Sequence, residues 1–222
     1  MKQLNRYFDH TLLKPDASEE QIEQLCREAR QYSFHSVCVN SCYVHLAATL
    51  LENSSVAVTS VIGFPLGAMA TEAKAYEAET ALRSGADELD MVINIGALKS
   101  ANFHFVEDDI AAVAGTAKRH HALLKVIMET HLLTREELIT ACRLAMAAGA
   151  DFVKTSTGFT GGGAKVEDVA LMKRITEGRI RIKASGGIRD LATAKAMIDA
   201  GADRLGASAS VSIMREAERE NI

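Results

Sequence analysis

Two lysines sit inside apolar runs with strand character, Lys154 in FVKTSTGF and Lys183 in IRIKASGG. Burying one ammonium costs free energy, and a second nearby adds like-charge repulsion to desolvation. Loss of one proton relieves both, and a neutral amine is a nucleophile toward aldehydes and ketones. Lysines at matched positions of two successive strands therefore have the pattern of a Schiff-base enzyme. The other reading pairs each amine with a carboxylate or lets it snorkel out at a strand end.

The chemistry of such a pair is defined. A neutral lysine adds to a carbonyl and water leaves, giving an imine whose protonated form acidifies the neighbouring carbon. Loss of that proton yields an enamine, a carbon nucleophile able to attack a second aldehyde. A proton shuttle and a nearby positive charge that depresses the nucleophile's pKa are needed. Asp90 in ELDMVIN suits the first role and the other lysine the second. This route needs neither metal nor cofactor, and the histidines, His10 and His131 among them, are scattered. Cys38 and Cys42, with His35 and His45 alongside, lack the tighter spacing of structural zinc ligands and read as small partly buried residues.

These residues must be positioned by strands. Runs rich in β-branched residues fall at 8–13, 36–40, 57–64, 88–94, 122–129, 151–157, 179–186 and 204–210. Amphipathic stretches separate them, such as Ser18 to Tyr32 and Thr134 to Ala148, each opening with a capping box: Ser18 with Gln21, Thr134 with Glu137. A splice recurs, SGAD at 84–87 and AGAD at 148–151 and 200–203, each ending a helical run and leading into a strand. Eight strands alternating with helices predict an α/β fold, one TIM (β/α)8 barrel spanning residues 1–222 as a single domain. An open doubly wound sheet is disfavoured, because the first strand is followed by KPDAS rather than a glycine-rich phosphate turn.

In a barrel alternate strand residues point inward. One choice of parity brings Asp90, Lys125, Lys154 and Lys183 to a common interior, with Ser156, Ser185, Asn94 and Glu129 on the same faces. A barrel packed only for stability would place Val, Ile or Leu there. Gly186 and Gly187 end the seventh strand, and GASAS at 206–210 ends the eighth and opens a helix. That is where such barrels hold a phosphate, with Ser208 adding a hydroxyl.

Composition narrows the partners. Net charge is −4, acidic and basic residues are interspersed, and Trp is absent, so nucleic acid is not an expected partner. MKQLNRYFDH has no apolar core of signal-peptide length and no run approaches a membrane span, so no membrane association and a cytoplasmic location are expected.

The chain resembles the deoxyribose-phosphate aldolase family in seven blocks in order: DHTLLKP, VIGFPLGA, ELDMVINIGALKS, KVIMETHLLT, FVKTSTGF, IKASGGIRD and LGAS. The resemblance implies a TIM-barrel class I aldolase, usually a cytoplasmic homodimer, that splits 2-deoxy-D-ribose 5-phosphate into D-glyceraldehyde 3-phosphate and acetaldehyde in deoxynucleoside catabolism. It implies Lys154 as Schiff-base former, Lys183 as the lysine that lowers its pKa, Asp90 as proton donor and acceptor, and Gly186, Gly187 and Ser208 as the phosphate cradle. Two departures stand out. Some members end in a tyrosine that assists enamine protonation, whereas this chain ends EAERENI; and TGFTGGGA lacks a lysine found there in another branch. A related lysine aldolase for another sugar phosphate, and a silent sugar-phosphate-binding barrel, are the alternatives.

Overall fold

The computed structural model describes residues 4–220; the first three residues and the last two, which finish the EAERENI run, lie outside the described residues. The strands are β1 Phe8–Leu12, β2 Ser36–Val39, β3 Ala57–Ile62, β4 Glu88–Val92, β5 Leu123–Ile127, β6 Phe152–Lys154, β7 Arg181–Ser185 and β8 Arg204–Ala207. Between and after them run α1 Glu19–Tyr32, α2 Val44–Leu51, α3 Thr71–Arg83, α4 Ile95–Lys99, α5 Phe103–Arg119, α6 Arg135–Ala147, α7 Val166–Thr176, α8 Leu191–Asp199 and α9 Ser210–Arg219. Neighbouring strands pair in parallel, and His10 of β1 lies opposite Ala207 of β8, closing the expected (β/α)8 barrel. Each run read from the sequence contains its strand.

Local sequence accounts for the helix starts. The Ser18 hydroxyl accepts the Gln21 N–H while the Gln21 side chain accepts the Ser18 N–H, and Thr134 and Glu137 do the same at α6. Such caps stabilise a helix by about 1 kcal/mol. Ile22, Leu25, Cys26 and Ala29 then form the buried stripe of α1 at helical spacing.

The repeated splice has a second physical basis. Gly85, Gly149 and Gly201 take positive φ where α3, α6 and α8 stop. The aspartate two residues on then clasps a neighbouring strand. Asp87, Asp151 and Asp203 each accept an N–H through the side chain, from Val58, Leu124 and Ile182, at 2.8–2.9 Å. Each donates its own N–H back to the same residue's carbonyl. Three identical clasps pin the register of β3, β5 and β7 against the strands that follow them.

Strand alternation divides the buried residues. Outward-facing Val37, Leu89, Val126, Val153, Ile182 and Leu205 join the helices in one continuous apolar layer. Inward-facing positions are mostly polar; a small second cluster, Leu13, Cys38 and Val61 with Phe64 against it, is one apolar part of the lumen, and the Phe152 ring beneath Lys125 and Arg204 is another.

Candidate active site

Register places Lys154 directly beside Lys183 and Asp90 beside Lys125. Their side chains converge on one carboxylate. Asp90 Oδ2 lies 2.7 Å from both Lys154 Nζ and Lys183 Nζ, and Oδ1 lies 2.8 Å from Lys125 Nζ. Beneath them the network continues. Lys183 meets Asp9 Oδ2 at 2.5 Å, Lys125 meets Glu88 Oε2 at 2.6 Å, and Arg204 meets Asp9 at 2.7 Å and Glu88 at 3.2 Å. All of these residues are buried.

Counted by formal charge, four cations (Lys125, Lys154, Lys183, Arg204) face three carboxylates (Asp9, Glu88, Asp90). One positive charge is in surplus, and geometry decides where it is relieved. Burial disfavours the charged form of every lysine here. Asp9 and Asp90 outweigh burial at Lys183, and Asp90 and Glu88 outweigh it at Lys125, so both are held above the ordinary lysine value. Lys154 has only Asp90, shared with Lys183. Burial, joined by the Lys183 charge, wins there and pushes Lys154 below the ordinary value. Asp90 itself, despite burial, is held far below the carboxylate range by Lys125, Lys154 and Lys183.

Lys154 is also the member of the set that opens outward. A cavity of about 240 Å³ at the C-terminal mouth of the barrel is lined by Lys154, Gly186, Gly187 and Ser208, together with Thr157 and Phe159. Lys183, Asp90 and Lys125 lie below it, out of its lining. A wider open groove of about 630 Å³ runs outside the barrel along α5, past Ala111, Gly115 and Lys118, and touches none of the lumen charges.

Glycine is required at two of these positions. Gly186 has φ +89°, and a Cβ on it would meet Gly163 Cα at 3.0 Å, so the loop after β6 lies across the end of β7. A Cβ on Gly206 would meet Ser185 Cβ at 2.9 Å and Lys183 Cε at 3.0 Å; its absence makes room for the Lys183 stem. Beside Gly186 and Gly187, α8 already has its Leu191 and Thr193 N–H groups taken by Glu216 and Asp190. The α9 terminus beside Ser208 has no side-chain cap at Ala209, leaving its amides to an anion.

The inward positions read from the sequence meet different fates. Asp90, Lys125, Lys154 and Lys183 come together. Asn94 instead caps α4 by accepting the Ala97 N–H. Strand β5 stops at Ile127, and Glu129, at φ +55°, turns its buried carboxylate to accept the Thr157 N–H at 3.2 Å and the Thr157 hydroxyl. Strand β6 stops at Lys154, and Ser156 accepts the Ser185 hydroxyl through its carbonyl at 2.5 Å. Asp9, Glu88 and Arg204 were missed, although the same alternation points them inward beside Thr11, Asp90 and Gly206. Cys38 faces the lumen while Cys42 is exposed, so the two cysteines do not share a site.

A profile described as DeoC/LacD family aldolase matches residues 5–216. A deoxyribose-phosphate aldolase of Coprothermobacter proteolyticus is 59% identical over 212 residues, covering 96% of each chain. One from Halalkalibacterium halodurans is 58% identical over 214 residues, covering 96% of this chain and 95% of its own. Among solved structures, a tetrameric deoxyribose phosphate aldolase of Aeropyrum pernix superposes with a TM-score of 0.91 at 35% identity, over 99% of this chain and 92% of that one. With barrel, lumen lysines and near full-length identity in agreement, the chain belongs to the DeoC/LacD family of aldolases.

Proposed function

We propose that this chain reversibly cleaves 2-deoxy-D-ribose 5-phosphate to D-glyceraldehyde 3-phosphate and acetaldehyde through an imine on Lys154. The observation that carries the assignment is that, of the three lumen lysines, Lys154 alone has its ammonium disfavoured and alone lines the cavity. Lys154 Nζ adds to the C1 aldehyde of the open-chain sugar and water leaves. Removal of the C3 hydroxyl proton breaks the C2–C3 bond, its electron pair moves to the iminium as an enamine, and the triose phosphate departs. Protonation of the enamine carbon and hydrolysis release acetaldehyde.

Asp90, 2.7 Å from Nζ, orients the amine and relays protons through water; Lys183 stays charged and keeps Lys154 neutral. Gly186, Gly187 and Ser208 hold the phosphate with backbone N–H groups and a hydroxyl. The whole chain, 1–222, acts as one domain, and the family resemblance supports a homodimer in the cytoplasm. Among the described residues no helix is long and apolar enough to cross a membrane. The test is borohydride reduction in the presence of deoxyribose 5-phosphate, followed by peptide mass spectrometry. An acetaldehyde-derived adduct is expected on Lys154, and an adduct on Lys183 alone, or none, would sink the assignment.

A further inference from the structure

The lower lumen is charged, yet an aromatic ring sits in its floor. Phe152 is the inward residue of β6 next below Lys154, roughly 7 Å along the strand, and is only 1% exposed. Its ring stands apart from the outer apolar layer. Register sets it beside Lys125 of β5 and Arg181 of β7. Three cations surround the ring, with Arg181 at 4.1 Å from its centroid, Arg204 at 5.5 Å and Lys125 at 6.0 Å. Arg181 is exposed at the start of β7, whereas Lys125 and Arg204 belong to the buried network. The ring thus stands between solvent below the barrel and the charges above.

The β2–β4 side of the floor is closed differently. Thr59 Oγ1 lies 3.2 Å from both Ser36 Oγ and Glu88 Oε2, and His35, half-buried, approaches Glu88 at 3.3 Å. On the other side Arg204 Nε is buried with no hydrogen-bond partner among the described residues, a group that water would solvate first. The ionisable groups acting on Lys154 are Asp90 of β4, Lys183 of β7 and the Cys38 thiol of β2. Behind them stand Asp9, Glu88, Lys125 and Arg204. Burial is the largest influence on the Lys154 amine, and burial from below depends on the floor.

We propose that Phe152 is a positioning residue for the imine chemistry, its ring sealing the lumen floor against water so that Lys154 stays desolvated. The inference rests on the proposed function for the imine, but the seal itself requires only an amine in a dry lumen.

The experiment is trace acetylation with acetic anhydride across pH, applied to the intact protein and its Phe152→Ala and Phe152→Leu variants, with Lys154 read by peptide mass spectrometry. Only a neutral amine attacks the anhydride, so labelling follows deprotonation of Lys154 whether or not the protein is an aldolase. Phe152→Ala should move the rise in labelling to higher pH by about one unit, because water reaching the lumen restores solvation to the ammonium. Phe152→Leu keeps apolar bulk without a ring and should leave the rise near its wild-type position. The rising limb of the pH–rate profile for deoxyribose 5-phosphate cleavage should move in step. A merely structural role would lower the folded fraction and move neither curve. An unmoved rise in Phe152→Ala overturns the seal, as does an equal displacement in Phe152→Leu. Should Phe152→Ala not fold, Phe152→Val carries the same prediction at smaller amplitude and is overturned in the same way. If the wild-type protein releases no acetaldehyde while the labelling curve still shifts, the aldolase reading falls and the seal stands.

Discussion

The barrel wall separates two buried regions, and each contains a lysine whose charged form burial disfavours. In the layer outside, Lys74 of α3 is fully buried, 2.5 Å from Asp109 Oδ2 and 3.0 Å from the Val92 carbonyl, with the Thr71 hydroxyl donating to the same carboxylate. In the lumen, Lys154 meets one oxygen of Asp90 that Lys183 also uses. Burial lowers the pKa of both lysines. A depressed pKa therefore does not mark the nucleophile. Lys74 has a carboxylate to itself and lines neither cavity described, so its pair ties α3 to α5. Lys154 sits in a lumen with one cation too many and opens to a cavity. Charge surplus and access separate chemistry from architecture here.

The largest effect that could break this comparison is at Lys154 itself. Lys154→Met removes the surplus cation, so kcat should fall by a thousandfold or more while the urea midpoint stays at or above that of the wild type. A large loss of stability would mean the lumen was balanced with Lys154 charged, contrary to the count. Next is Lys74→Met, which leaves Asp109 buried without its partner. It should cost about 3–5 kcal/mol in urea unfolding while the folded fraction keeps its turnover. Loss of turnover per folded molecule would show that the two regions are coupled.

The smallest effect is a displacement along the pH axis. The rate needs neutral Lys154, so it rises with pH through that group's folded pKa, below the ordinary lysine value. The Lys183 charge lowers that pKa, and removing it frees Asp90 to hold the Lys154 ammonium more firmly. Lys183→Met should therefore move the rising limb of the pH–rate profile to higher pH. A limb that stays in place would remove Lys183 from the tuning role.

Much of the architecture was legible because it is written at short range. The capping boxes at Ser18 and Thr134, and glycines at the helix ends, are local chemistry, and strand alternation alone brought Asp90 to the lysines. The ranking of Lys154 over Lys183 was not legible from the residues. It depends on Asp9, which approaches Lys183 from the far end of the chain through the β1–β8 closure, and on which amine lies beneath the cavity floor. Glu129 escaped for another reason. Its strand ends two residues early, and a left-handed backbone turn sends its carboxylate to Thr157, a contact that period-two reasoning places on the wrong element.

The enclosure of the lumen has a consequence for dissolved salt. Mobile ions screen exposed charges over a Debye length of about 8 Å at physiological ionic strength, but they reach buried pairs far less. The buried charges that act on Lys154 and hold its pKa below the ordinary lysine value are sealed in the lumen, so added salt leaves its protonation largely alone. The proposed phosphate cradle, with Gly187 and Ser208 exposed, stands in solvent, so its pull on a dianion weakens as ions accumulate around it. Raising ionic strength should thus act as a selective reagent on this molecule, weakening capture while sparing the amine proposed to form the imine.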